Sequence, residues 1–515
     1  MFNKWCLSQI NPTFWGLRIL YVVGLVVSFP SLAKYTELFS EHNISVPFKV
    51  NQGVVAADIL AHLGIELLVI GVDEQQQRKL AIYGVNINEY EVLDLIDIPN
   101  NFWGYDLGDK NAEGMRQLYF LTQSKVLRYV PAHHSQPAKM QVEQDVESMY
   151  LSAQSDSFMQ IDFVQDLNND GEDDIFLPHF QQVNLWLTDG SDIKQRQSLP
   201  IGARLQLKHS QFRFFDADLY FEDMNQDTKT DIVYLSQDKV ATHLQNDKGL
   251  FSTEPVYIDI LPMVSAHEWW DITDVNGQEL DQSNLTHRKL DGLRDINGDG
   301  IADLVVKYTQ SSGVLDKTID YEFYYGSLKD GVLEYEHDIS SKVSSKDTLT
   351  DLQFVDLEND GRLEVLVSSF DIGISQIVGA LMSGSIDQDS MIFAMDDKDE
   401  FAKEPLLNQE VEMTFSLSSG SRGEPMIKMI DLNKDGVKDM VYSDGDALIR
   451  ALLATPGEKR PYSRWSLKQK ISMPKNPANA LTQDLNEDGK TDLVLHYGPA
   501  DKSELLQRLV ILIAM

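Results

Sequence analysis

Residues 295–303 read Asp295-Ile296-Asn297-Gly298-Asp299-Gly300-Ile301-Ala302-Asp303, and Leu304-Val305-Val306 follows directly. The same spacing, D-x-N-x-D-G-x-x-D, recurs without gaps along the chain. Asp166, Asn168, Asp170 and Asp174 form one copy, Asp431, Asn433, Asp435 and Asp439 a second, and Asp484, Asn486, Asp488 and Asp492 a third. A fourth copy substitutes glutamate at two places, in Asp356, Glu358, Asp360 and Glu364. A fifth, Asp223, Asn225, Asp227 and Asp231, puts Thr228 where the others have glycine. Each copy follows a short run with apolar members and precedes an aliphatic one, such as Asp231-Ile232-Val233-Tyr234-Leu235 or Asp492-Leu493-Val494-Leu495. The local reading is strand, loop, strand.

Acidic or amide side chains at positions one, three and five turn three oxygens toward one point, the donor set of a hard cation such as calcium, which takes six to eight oxygens. Glycine at position six lets the backbone enter a conformation that is costly for other residues. Three carboxylates within nine residues repel one another, and a divalent ion neutralises them. An EF-hand opens the same way but needs glutamate at position twelve and a helix after it. Position twelve here is Leu177, Tyr234, Val306, Val367, Tyr442 and Leu495, all apolar, so the reading takes position nine as the closing ligand and expects a strand next. The four complete loops are the strongest metal candidates, the loop at Asp356 has altered geometry, and Thr228 weakens the loop at Asp223. About four to six calcium ions are expected, in a stabilising role.

Two weaker copies lie upstream, at Asp109 to Gln117 and at Asp58 to Glu66, where Leu60 and His62 occupy ligand positions. No metal is expected at either. The loops therefore start at 58, 109, 166, 223, 295, 356, 431 and 484, a unit of about 60 residues. Such a unit accommodates about four short antiparallel strands, one blade of a β-propeller. Helical solenoids are excluded by the β-branched runs beside every loop. The expected fold is all-β, a single propeller spanning residues 34–515 with eight four-stranded blades; seven longer blades are the alternative. The last loop is followed by only two strands, so the segment 45–50 is expected to complete the final sheet and close the ring.

These loops, repeated between strands in an acidic chain, resemble the FG-GAP/VCBS-type repeats of bacterial surface proteins and, more distantly, of integrin α-subunit propellers. The resemblance covers nearly the whole chain from about residue 45. It implies calcium held through side chains one, three, five and nine and the seventh backbone carbonyl. The literal Phe-Gly and Gly-Ala-Pro signatures are missing, which favours the VCBS-type label.

Composition agrees with a globular, exported polyanion. The chain has 515 residues, 80 acidic against 44 basic, a net charge of −36, 43% apolar residues and one cysteine. A phosphate backbone would be repelled, so nucleic acid is not an expected partner. Residues 1–36 lack Asp and Glu, and carry Lys4 and Arg18 ahead of an apolar run over 19–29. Eleven residues are too few to span a bilayer. With Ser31-Leu32-Ala33 they read as a signal peptide of residues 1–33, directing the chain to the periplasm, the cell surface or the exterior. Membrane attachment is expected only if that segment is retained. Cys6 falls inside it, leaving no disulfide to stiffen a monomer outside the cell.

Catalytic motifs are scarce. Gly489-Lys490-Thr491 lacks the upstream glycine of a phosphate loop, and His267-Glu268 lacks the second histidine of a metalloprotease helix. The two longest intervals carry inserts at 263–288 and 387–422. The first holds His267, Trp269 and Trp270, suited to sugar stacking or a protein hot spot; the second includes the acidic run Asp396-Asp397-Lys398-Asp399-Glu400. The functional expectation is a binding or adhesion module for protein or glycan, with a carbohydrate-active lyase or hydrolase on the same scaffold as the alternative.

Overall fold

The computed structural model describes residues 37–515, apart from 62–63, 87–88, 112–113, 133–136, 151–157, 189–193, 209–210, 273–279, 314–315, 371–383 and 416–421. Both the apolar run at 19–29 and the Ser31-Leu32-Ala33 site lie outside the described residues, as does His62.

Short aliphatic and aromatic runs bounded by turn residues dictate strands, and strands they form. In the first blade Lys49–Val50 and Val55–Ala57 together make the inner strand against Glu66–Val72, with Arg78–Asn86 and Glu89–Ile98 outside. Six further sheets follow in chain order over 102–160, 164–199, 219–259, 286–343, 348–423 and 427–469, antiparallel except that Met159–Gln160 pairs parallel to Phe102–Leu107. The eighth combines Ala480–Gln483, Asp492–His496 and Arg508–Ala514 with Phe39–Ser45, which pairs antiparallel to Arg508–Ala514 along its full length. Eight blades close the ring, and the weak copy at Asp58 opens a genuine one.

Closure comes one segment earlier than the sequence suggests. Phe39–Ser45 is polar, Phe-Ser-Glu-His-Asn-Ile-Ser, because an outermost strand keeps most of its side chains in water. The segment 45–50, expected there, instead sends Val46, Phe48 and Val50 into the seam between the last blade and the first.

The core is distributed. Among the described residues eight apolar clusters each draw on two neighbouring blades, and together they run round the whole ring. Strand alternation sorts them: Leu493 and Leu495 face the seventh blade, while Val494 between them faces the first. Each blade is thus buried on both faces, which explains second strands as uniformly buried as Asp439–Ser443 and Asp492–His496.

In such a meander the connections from first to second and from third to fourth strand lie at one face of the ring. Those from second to third strand, and from blade to blade, lie at the other. Two extra hairpins extend this plan, Arg204–Lys208 with Gln211–Phe215 and Gly326–Lys329 with Val332–Tyr335.

Candidate functional site

All the acidic repeats fall in first-to-second-strand connections and so share one face. In each complete loop the first carboxylate organises the turn. Asp295 accepts the Asp299 amide at 3.2 Å on Oδ1 and the Gly300 amide at 2.8 Å on Oδ2. Asn297 Oδ1 accepts the Asp299 amide at 3.1 Å, and Asp299 Oδ1 accepts the Ile301 amide at 2.8 Å. The loops at Asp166, Asp431 and Asp484 repeat this pattern. So does the loop at Asp223, where Thr228 takes the glycine's place at φ 70°. Position four is also left-handed, at φ 58° in Asn169 and 62° in Lys434. Asparagine tolerates that conformation best among residues with a side chain, and nothing in the repeat pattern announced the requirement at position four.

Position nine has a separate task. It is the first residue of the second strand in each of these blades, and it is buried in all but Glu364. Asp303 accepts the position-two amide of Ile296 at 3.1 Å on Oδ2 and the amide of Gly326, beyond the third strand, at 2.9 Å on Oδ1. Asp174, Asp231, Asp439 and Asp492 make the same two bonds to Leu167 and Thr188, Met224 and Gln245, Leu432 and Ala454, Leu485 and Ala514. Glu364 keeps the bond to the Leu357 amide, and Glu66, at position nine of the weakest copy, keeps the bond to Ile59. The ninth carboxylate therefore ties loop, second strand and third strand into one unit. Burial drives its pKa up, to about 7 in Asp303 and Asp174 and about 6 in Asp492.

Consecutive loops are also joined to one another. The position-eight amides of Leu363, Lys438 and Thr491 donate to the carbonyls of Ile296, Leu357 and Asp431 in the preceding loops, at 3.2, 3.0 and 2.8 Å. The Asp166 amide donates to Asp109 Oδ2 at 2.8 Å, and Lys434 Nζ to the Asp488 carbonyl at 2.6 Å. Anything that stiffens one loop stiffens the seam beside it.

The donor chemistry at positions one, three and five suits a hard cation: two carboxylates and an amide oxygen within one turn, each with lone pairs beyond those given to amides. Among the described residues no group of three or more His, Cys, Asp or Glu side chains is arranged to hold a metal ion.

The opposite face carries two adjoining cavities of about 390 and 460 Å³, one on each side of a wall formed by residues 216–220. Asp216 and Asp218, just before the strand Leu219–Glu222, line both, with Tyr220 beside them. Asp216 accepts a 3.0 Å hydrogen bond from the Tyr150 hydroxyl. Arg204 lines the smaller cavity, its Nε buried and without a hydrogen-bond partner among the described residues. Of the insert residues singled out by sequence, His267 reaches this cavity, and burial followed by the charge of Arg204 lowers its pKa. Trp269 and Trp270 do not line it. They meet edge to face at 5.1 Å, and the lysines of the fifth blade cover them, Lys317 Nζ 4.4 Å from the centre of Trp269 and Lys307 Nζ 5.5 Å from that of Trp270. Lys307 also pairs with Glu268. The segment 216–220 was missed in the sequence because its acidic, aromatic alternation reads as the entry to the loop at Asp223.

No family model and no curated protein matches the chain. Among solved structures it is similar to a lectin of Agrocybe aegerita recognising non-reducing terminal N-acetylglucosamine, at 11% identity and TM-score 0.39, with 82% of this chain and 94% of that one covered. It is also similar to the Dos1 propeller, at 9% identity and TM-score 0.37 over 91% and 95%. A third is BBS1N in complex with ARL6DN, at 7% identity and TM-score 0.36 over 93% and 98%. At these scores the likenesses carry no argument, and the propeller stands on its own sheet order and seams.

Proposed function

We propose that this chain is an exported, calcium-stabilised propeller of the FG-GAP/VCBS type that works as a binding or adhesion module, with a protein or glycan as partner at the cell surface or in the periplasm. One observation carries the reading: the ring has two differently equipped faces. One is a girdle of linked, oxygen-rich turns; the other offers paired concave sites with tyrosine, carboxylate and guanidinium walls, the mixture expected of a recognition pocket. Calcium would be held by positions one, three and five of the loops at Asp166, Asp295, Asp431 and Asp484. There it would offset the repulsion between neighbouring carboxylates and lock seams that no disulfide holds.

Calorimetry tests the stabilising role. The melting temperature should rise in millimolar calcium and fall in EDTA, and identical melts in the two would end the calcium reading. A binding screen against glycans and surface proteins, run with the wild type and with Asp218→Asn, tests the recognition role. A partner that binds the wild type and loses affinity for the variant supports it, and a partner indifferent to that change places recognition elsewhere.

A further inference from the structure

A further groove lies on the outer flank of the ring, where the outer strand of the sixth blade meets the seventh blade and its connection from third to fourth strand. Trp465 is 76% exposed there, the most exposed large hydrophobic side chain among the described residues. A mobile loop would let so large a ring fold back onto the protein, but this one is held at both ends. On one side Tyr462 is buried, bridges to Ala454 and donates its hydroxyl to the Lys438 carbonyl at 3.2 Å. Ser463 Oγ accepts the Leu453 amide at 3.1 Å. On the other side Leu467 enters the outer strand against Ala451. The indole is therefore presented.

It stands at the edge of a groove of about 450 Å³ whose other lining groups are mostly polar. Arg450 is fixed in that groove, its Nε donating to Asp444 Oδ2 at 2.6 Å and an Nη to Ser466 Oγ at 3.1 Å. Arg464 lies 5.1 Å from the Trp465 ring centre. Asp387, Glu410 and Glu412 line the same groove and are exposed. Their carboxylates make no hydrogen bond or ion pair among the described residues. A protein hot spot is ringed by further exposed apolar anchors; here Tyr442, Val411 and Leu452 line the groove but are buried, and the one exposed aromatic is ringed by acceptors and by donors already held in place. An aromatic face for C–H bonds beside carboxylates for hydroxyls is the chemistry of a sugar ring. Four carboxylates against two guanidiniums make the groove net negative, so acidic sugars are disfavoured.

We propose that the flank between the sixth and seventh blades binds a neutral saccharide, stacked on Trp465 and hydrogen-bonded by the carboxylates beside it. The site is separate from the twin cavities.

The test uses the full chain labelled with 5-fluorotryptophan, with Trp465→Phe identifying the resonance of interest. N-acetylglucosamine, galactose, mannose, their disaccharides and galacturonic acid are titrated to about 50 mM, because one small stacking site gives affinity near the millimolar range. The expected result is a saturable shift of the Trp465 resonance with at least one neutral sugar and a far weaker response to galacturonic acid. Affinity should fall about tenfold in Trp465→Ala and severalfold in Glu412→Gln. Both changes are at exposed positions, so an unchanged melting temperature confirms the fold of each variant. Silence of the Trp465 resonance toward every sugar overturns the proposal. So does saccharide binding that Trp465→Ala leaves intact, or a protein partner that occupies the flank while no sugar does. A partner that loses affinity for Asp218→Asn while the Trp465 resonance stays silent toward every sugar would leave the reading of the twin cavities standing while removing this one.

Discussion

Thr228 shows how strongly the loop geometry overrides local preference. Its β-branched side chain sits at φ 70°, where the other complete loops place glycine. That conformation costs an L-residue about 1 to 2 kcal/mol, partly offset because glycine loses more chain entropy on folding. Thr228→Gly should therefore raise stability by about 0.5 to 1 kcal/mol, read as a higher urea midpoint at constant slope. Positions one and nine of a single loop should also separate. Asp484 is partly exposed and caps two amides of its own turn, so Asp484→Ala in calcium-free buffer should cost about 1 kcal/mol. Asp492 is fully buried, and its loss strands the amides of Leu485 and Ala514 in the interior. Asp492→Ala should cost roughly 3 kcal/mol or more. Equal costs for the two changes, by denaturant titration, would mean that the ninth carboxylate has no special structural task.

Among the elements, the strand Phe39–Ser45 has the largest consequence. It covers the outer edge of Arg508–Ala514, whose Val510 and Leu512 are buried in one seam and whose Leu509 and Ile511 are buried in the next. Deleting residues 37–45 leaves an unpaired apolar edge and should convert the protein into aggregates on size-exclusion chromatography, with the aggregated share rising with concentration. How legible each element was follows from its chemistry. The loops and the strands after them were plain in the sequence, since a nine-residue pattern leaves few alternatives and Asp492–His496 appears with the bounds expected. Blade number followed from the period. The closing strand was hidden because an outer edge reads as loop, and the twin cavities were hidden because they join side chains from three blades with no spacing of their own. The tryptophan pair is where an insert puts it, with Lys307 and Lys317 each against one ring and Trp270 still exposed.

For the whole molecule, buried carboxylates set the response to acid. Burial raises Asp106 to about 6 against three amide bonds that favour its charged form, and Asp174 and Asp303 to about 7. A carboxyl whose folded pKa lies above its unfolded value holds its proton longer in the native state. Its contribution is thus greatest near pH 4 and is lost as pH rises toward 7. His496 opposes this: burial lowers it to about 4, so it costs stability as pH falls from about 6.5. Burial lowers His243, His267 and His287 in the same direction, but a larger number of carboxyls is raised, and a net charge of −36 adds repulsion that protonation relieves. Calcium-free protein should accordingly melt at a higher temperature at pH 5 than at pH 8, by differential scanning calorimetry in EDTA. A melt that falls on acidification would show that these groups stay ionised in the fold.

The pairing of Phe39–Ser45 with Arg508–Ala514 also fixes when the molecule is finished. Synthesis delivers Phe39–Ser45 before, and Arg508–Ala514 after, the seven blades between them, so those blades can stack into an open arc before the eighth is zipped. Through all of that time the arc exposes two raw flanks. Removal of Arg508–Ala514 would keep the arc open and so do more harm than a cut of similar size in a surface turn.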